Sequence, residues 1–455
     1  MLKQNQYSSL WLPLTRRDAA CEVPLTVSQQ ARWSYGNKCK TARGCVAVVR
    51  VLGMLRVDLL KKALDAVIVR HESLRTRFVE IDGVTRQCID SVYSCQIGMM
   101  DLSGLAAPDR EQEAHRLASE ITSMKVWLPG EPLFEVTLLR LSDLEHVLIL
   151  ALDQIISDGI SNGIILRELW ALYRQASNEL PLSLPPVLLQ FGDYAVWQAK
   201  IYKQWRLEHE EYWKLYLRDA RGVKIPTDFT EPGIEPSGCE SFDETFGLAV
   251  SATLRDLAKQ LRTFLSLIVL CIHVVVVSRW CNQRDLLLGM IADGRYRSEL
   301  IDMVGFLASG LFIRLTISEE DSFPDLLRHV QRQLSAAYEH RDFGWAAEFL
   351  PDAVKKYGTD LRFNWLSAAE WERDIACSTE GVAGISFQSV PIATKEPVKF
   401  AVRFWDTGDD IALRVRYRPD CFRLTTIEEY CRSVRSLAMA VAGRPFARVG
   451  TYAVS

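Results

Sequence analysis

His146-Val147-Leu148-Ile149-Leu150-Ala151-Leu152-Asp153-Gln154-Ile155-Ile156-Ser157-Asp158-Gly159-Ile160-Ser161 is a short apolar run that stops abruptly at a carboxylate and opens into a polar turn. The run reads as a buried strand, apolar on both faces. Beyond it, Ser157 and Asp158 can cap a helix that carries Ile160, Ile164, Leu169 and Tyr173. Strand ends hold side chains rigidly, so a polar cluster directly after a buried strand is a place for chemistry. Asp153 and Asp158 flank two isoleucines, so burial is expected and their charge needs compensation. The same spacing is also met by a plain helix N-cap with a strand-end loop.

Working outward, the chain has 455 residues and 51.7 kDa, with a mean hydropathy of +0.00. At roughly 100–200 residues per domain, that length allows two to four folding units or one two-lobed enzyme. Lys and Arg total 54 against 57 acidic residues, a formal charge of −3, which argues against a general nucleic-acid binder with its basic surface. Twelve tryptophans with few glycines and prolines exclude a disordered chain. The eleven cysteines are scattered, odd in number and form no CxxC, so reduced thiols in the cytoplasm are expected. Met1–Leu10 is polar and carries no signal-peptide pattern. Phe264–Val277, the greasiest run, is broken by Ser266 and His273 and is short of the ~18 residues of a membrane span. Its valines favour strand and its length favours helix; length decides for a buried helix. A soluble, cytoplasmic, monomeric protein is the expectation.

The pattern mixes α and β without repeats. Asp58–Arg70 is predicted as a helix capped by Asp58, with Leu60, Ala63, Leu64 and Val67 on one face. The proline-rich stretch Leu180–Pro186 is the best linker and divides an N-terminal lobe, 1–180, from a C-terminal lobe, 181–455. Gly222–Gly238, rich in Pro, Gly and acids, is predicted as a surface loop. No phosphate-cradling glycine loop and no metal-ligand spacing is found, which argues against NTP-driven activation and metal hydrolysis.

Over essentially its whole length the sequence resembles the condensation-domain family of nonribosomal peptide synthetases. Pro24 to Trp33 looks like the family's opening motif, and Arg70-His71-Glu72-Ser73-Leu74-Arg75-Thr76-Arg77-Phe78 matches its RHExLRTxF motif. Asp193-Tyr194-Ala195-Val196-Trp197-Gln198 matches DYAxWQ, with Glu211-Tyr212-Trp213 following as the YW segment. Gly289–Arg295, Val304-Gly305-Phe306, His340-Arg341-Asp342 and Phe363-Asn364-Trp365 fall in order on the later motifs. The resemblance implies an α/β (α+β) fold of two lobes, each like chloramphenicol acetyltransferase, in a V-shaped pseudo-dimer with a central tunnel. It implies carrier proteins as partners and substrates tethered to their phosphopantetheine arms. No cofactor or metal bound to the chain itself is implied.

The family's HHxxxDG motif falls on Asp153 to Gly159, and both histidines are replaced, by Asp153 and Gln154. Gln154 can hydrogen-bond but cannot take a proton near neutral pH. The resemblance implies that Asp158 and Gly159 are retained structural residues, with Arg295 the partner of Asp158 in a salt bridge. Ser161, Ser309 and Trp365 are implied as tunnel residues. Of the seven histidines, His71 and His340 fall in motifs read as structural, and His273 reads as a satisfied core residue.

Three functions remain open. Asp153, Asp158 and Ser161 stand in the DxxxxDxxS register of heterocyclisation domains, although the DFT motif and the TPQVxLD-like segment around Ile385–Pro391 are missing. An unusual condensation enzyme forming amide bonds is the second; there, alignment alone could supply ~7–11 kcal/mol at best. Asp153 would orient an ammonium or, with a pKa raised by burial, serve as base, and Gln154 would hold a carbonyl. The third is a catalytically silent platform that recruits tailoring oxidases to a carrier-bound peptide.

Overall fold

The computed structural model describes residues 12–18, 21–39, 44–91, 94–122, 132–229, 239–341, 361–366, 386–389 and 399–453. The chain divides into two compact units. The first comprises Met1–Arg206, Asp293–Ala308 and Glu370–Thr394; the second comprises Leu207–Ala292, Ser309–Ala369 and Lys395–Ser455. The boundary expected at 180/181 therefore falls inside the first unit.

The strands of the first unit begin with β1 (Val23–Pro24), β2 (Gly44–Leu52), β3 (Thr76–Ile81) and β4 (Val84–Ile89). β5 (Ile97–Asp101), β6 (Phe134–Ser142) and β7 (Glu145–Asp153) follow. Its helices are α1 (Val27–Cys39), α2 (Val57–Arg70), α3 (Ala107–Thr122) and α4 (Gly159–Ser177). α5 (Phe191–Tyr216) carries the chain into the second unit. There β8 (Glu240–Thr245), α6 (Leu248–Gln260), α7 (Leu265–Trp280), β9 (Asp285–Ala292) and β10 (Ser309–Thr316) lead to α8 (Phe323–Glu339) and β11 (Arg362–Leu366). After β12 (Ser386–Ser389), which belongs to the first unit, come β13 (Phe400–Asp406), β14 (Ile411–Tyr417) and α9 (Leu424–Gly443).

In the first unit a five-stranded sheet runs in the order β12-β2-β7-β6-β5. Its β5–β6 pair is parallel and its other pairs are antiparallel. β7 lies at its centre, buried from His146 to Asp153, and the nearly unbroken apolar run follows from burial of both faces. One face packs on α2 and α4 through Leu60, Leu64, Ile165, Leu169 and Trp170. The other packs on α3 through Leu139, Ile149, Ala114 and Ala118. α2 starts at Val57, with Arg56 as its N-cap residue. Asp58 sits in the first turn and pairs with Arg56 rather than capping the helix as expected.

The proline-rich stretch lies along the first unit and is tied to it. Gln175 accepts from Ser183 N and donates to Ser183 O, at 2.7 and 2.9 Å. Leu182, Leu184 and Val187 line a cavity of about 360 Å³ against Ala66, Val69 and Leu172.

The second unit is built on a six-stranded sheet, β10-β9-β11-β13-β14-β8, in which β11 runs parallel to both neighbours. α7 is helical, as its length predicts, and buried from Leu267 to Ser278. His273 is fully buried in it, with Nδ1 2.6 Å from the Tyr430 hydroxyl. No single helix among the described residues is long and apolar enough to cross a membrane. Of the predicted loop 222–238, the described part has neither helix nor strand and buries Val223 and Ile225; residues 230–238 lie outside the described residues.

Candidate functional site

β7 ends at Asp153, which pairs across the sheet with Gly44 of β2. Its backbone N–H donates to Leu133 O at 2.9 Å. Each carboxylate oxygen accepts one hydrogen bond. Oδ1 accepts from Ile155 N at 2.8 Å, and Oδ2 accepts from Arg32 Nη2 at 3.0 Å. Arg32 stands on α1, and only 10% of its side chain and 8% of that of Asp153 are exposed. Burial pushes the Asp153 carboxyl above its ordinary value, while the Arg32 charge and the Ile155 N–H pull against that rise.

One turn before Arg32 on the same helix, Gln29 is fully buried. Its Nε2 donates to Ile155 O at 2.9 Å and to Gln87 Oε1 at 3.1 Å. Residues at i and i+3 share a helix face, so α1 grips the turn on both sides of Gln154. Gln154 is half-buried, and its side-chain amide makes no hydrogen bond to a described residue.

The second carboxylate organises a separate lock. Asp158 is the N-cap of α4, with Oδ1 accepting from Ser161 N at 2.8 Å. Arg295 makes a two-point pair with it, Nη1 to Oδ2 at 2.9 Å and Nη2 to Oδ1 at 3.0 Å. Leu307 N and Ala308 N also donate to Oδ2, at 3.1 and 3.2 Å. The Ser161 hydroxyl donates to Asp158 Oδ1 at 2.7 Å, and Gly305 N donates to that hydroxyl at 3.1 Å. Gly294 makes the close approach possible: its φ is +72°, and a Cβ there would lie 2.0 Å from Leu307 O. Gly159, the first helical residue, is exposed.

The predicted residues Asp153, Gln154, Asp158, Gly159, Ser161 and Arg295 therefore all belong to the first unit. Asp153 and Asp158 serve separate networks within it. Ser309 and Trp365 belong to the second unit. There Ser309 opens β10 opposite Ala292, and Trp365 lies on β11 opposite Phe404.

Of the motif histidines, the one in the first unit, His71, is committed to a pair of its own. His71 is buried, with Nε2 2.6 Å from Glu168 Oε2, which also accepts from Arg70 Nε at 2.9 Å. Burial raises the Glu168 carboxyl, but His71 and Arg70 together bring it below its ordinary value. His340 belongs to the second unit and is paired there with His209, Nδ1 to Nδ1 at 2.7 Å. Asp342, the last residue of its motif, lies outside the described residues. Among the described residues no group of three or more His, Cys, Asp or Glu could hold a metal ion. The cysteines with described side chains, including buried Cys95, Cys271 and Cys431, are free thiols.

Sequence reasoning missed Arg32 and Gln29. The signal was present: two buried carboxylates need two cations, and Arg295 accounts for only one of them.

Residues 20–454 match the Condensation domain family. A linear gramicidin synthase protein of Brevibacillus parabrevis is 34% identical over 343 residues, 74% of this chain and 7% of that protein. Another linear gramicidin synthase protein of the same organism is 28% identical over 98% of this chain, which spans 6% of that protein. The chain thus covers a small part of the length of these relatives. Among solved structures, the X-domain from teicoplanin biosynthesis superposes with a TM-score of 0.84 at 21% identity, covering 98% of this chain and all of that one. With a Condensation domain match over nearly the whole chain, a curated relative above 30% identity and the shared chloramphenicol-acetyltransferase-like fold, this chain belongs to the condensation-domain family of nonribosomal peptide synthetases.

Proposed function

We propose that this chain is a condensation-type platform that receives carrier-tethered peptides and recruits tailoring oxidases, without forming the amide bond itself. One observation carries the reading: Asp153, the only acid at the position of the family's histidine pair, has its carboxylate oxygens committed to Arg32 and to the Ile155 N–H. A general base must be turned toward the proton it takes, whereas Arg32 and the Ile155 N–H hold the Asp153 carboxylate as the counter-ion of a buried pair, and Gln154 has no basic site to substitute. The heterocyclisation register loses support for a similar reason, since Asp158 and Ser161 are spent on Arg295, Gly305 and the helix cap. A further support is the likeness to a teicoplanin X-domain solved in complex with OxyB, at a TM-score of 0.81 and 20% identity over 98% of both chains. The partners proposed are peptidyl carrier proteins, with the peptide held on phosphopantetheine, and a tailoring oxidase.

The test supplies the chain with acyl- and aminoacyl-loaded carriers and follows products by intact mass. The reading expects no amide product and measurable binding to a peptidyl carrier or an oxidase. An amide product that disappears on Asp153→Ala would overturn it in favour of a condensation enzyme. A product lighter by one water would point to cyclisation.

A further inference from the structure

We infer that Gln154 reads an amide group of the delivered peptide and that Arg32 and Gln29 hold it in position to do so. This rests on the reading above, that a carrier-tethered peptide reaches this turn. Two hydrogen bonds from one face of α1 fix the residues on either side of Gln154: Arg32 Nη2 to Asp153 Oδ2 and Gln29 Nε2 to Ile155 O. A third, from Ile155 N to Asp153 Oδ1, closes the turn on itself. The backbone of Gln154 is therefore placed by its neighbours, and its carbonyl accepts from Ser157 N at 3.3 Å.

Its side chain is left uncommitted. The residue is half-buried, and its amide makes no hydrogen bond to a described residue. A carboxamide donates through nitrogen and accepts through oxygen at the same time. That pattern complements a peptide unit, which offers one C=O and one N–H, and an alkyl chain offers neither. Arg32 adds to the polar demand here, because its Nε is buried without an acceptor. Asp153 already balances the Arg32 charge, so the turn favours a neutral amide over a carboxylate, which would stand against Asp153.

The experiment titrates the whole chain with two stable thioether analogues of acylated pantetheine. One ends in a blocked dipeptide and the other in an alkyl chain of equal length, so the pantetheine amides cancel. The dipeptide is expected to bind about three- to tenfold more tightly, the worth of one hydrogen bond. Gln154→Ala should remove that margin and leave the alkyl affinity unchanged. Arg32→Met should shrink the margin in the same selective way, and Arg32→Lys, which can still pair with Asp153, should restore part of it. Gln154→Ala sits at a partly exposed position and keeps the test standing if Arg32→Met does not fold. Equal affinity for the two probes, no binding of either, or a margin that survives Gln154→Ala would overturn the inference. Amide formation from loaded carriers with the dipeptide margin intact would sink the platform reading alone. Carrier binding without turnover and without the margin would sink the role of Gln154 alone.

Discussion

Arg32 Nη2 lies 3.0 Å from Asp153 Oδ2, with about nine-tenths of each side chain out of water. The acid that stands in for a histidine is thus supplied with its own buried counter-ion from a different element. Breaking such a pair from one side leaves an uncompensated charge and costs about 3–5 kcal/mol, whereas replacing both partners by apolar groups is close to neutral. Asp153→Leu and Arg32→Met should each destabilise the first unit by that amount. Arg32→Met combined with Asp153→Leu should cost far less than the sum. Urea unfolding of the two single variants and the double variant measures the coupling. Additive losses would mean that the pair is not the interaction described.

That pair also marks what could and could not be read from the sequence. The strand ending at Asp153, the cap at Asp158 and the Arg295 partner were legible because each is local or lies in a motif of known order. Length settled α7, where four valines argued for a strand. The need for a second cation was legible but its source was not, since the pairing joins residues 121 positions apart and nothing local in α1 singles out Arg32. The unit boundary was hidden for a related reason. Proline richness signals an irregular backbone, but Leu180–Pro186 is held to α4 by Gln175, and the chain passes to the second unit within the continuous helix α5.

Acid should unfold the second unit partly through His209 and His340. Their Nδ1 atoms are 2.7 Å apart, and Tyr212 stacks on His340 at 3.6 Å. Burial holds His209 down to about 3, helped by the charges of His340 and Arg341, and holds His340 down to about 4. Unfolded histidine titrates near pH 6.5, so the unfolded chain takes up these protons first. The stability is complete above about pH 6.5 and is lost as the pH falls toward 4, at up to about 1.4 kcal/mol per pH unit for each ring. Asp153 works in the opposite direction, because a carboxyl raised by burial favours the folded state as it gains its proton. His209→Gln keeps a hydrogen-bonding partner for His340 and removes one titrating group. It should flatten the fall in urea midpoint between pH 7 and pH 5; an unchanged fall would count against the pair as an acid-sensitive element.

Gly294→Ala should be among the more damaging single changes in the first unit. The residue has φ +72°, and the new Cβ would meet Leu307 O at 2.0 Å, which is backbone and cannot swing aside. A left-handed alanine alone costs about 1–2 kcal/mol, and the clash must also push residues 293–295 away from Leu307. A melting temperature within a degree of the parent would show that the segment can relax, contrary to this expectation.

Arg295→Lys tests whether the lock around Asp158 depends on geometry or only on charge. Arginine reaches both carboxylate oxygens at once and also donates to Met303 O at 2.9 Å and to the Ser161 hydroxyl at 3.1 Å. A lysine ammonium is a point charge on a flexible stem and cannot reproduce that planar fork. With the guanidinium gone, Asp158 retains the Ser161 and Leu307 donors but loses the group that fixes the plane of its carboxylate. The amide hydrogens of Leu307 and Ala308, which donate to Oδ2, are expected to exchange with solvent at least tenfold faster in the lysine variant, while those at the centre of β7 keep their protection. If charge alone were sufficient, Arg295→Lys would leave the Leu307 and Ala308 exchange rates unchanged and only Arg295→Ala would raise them.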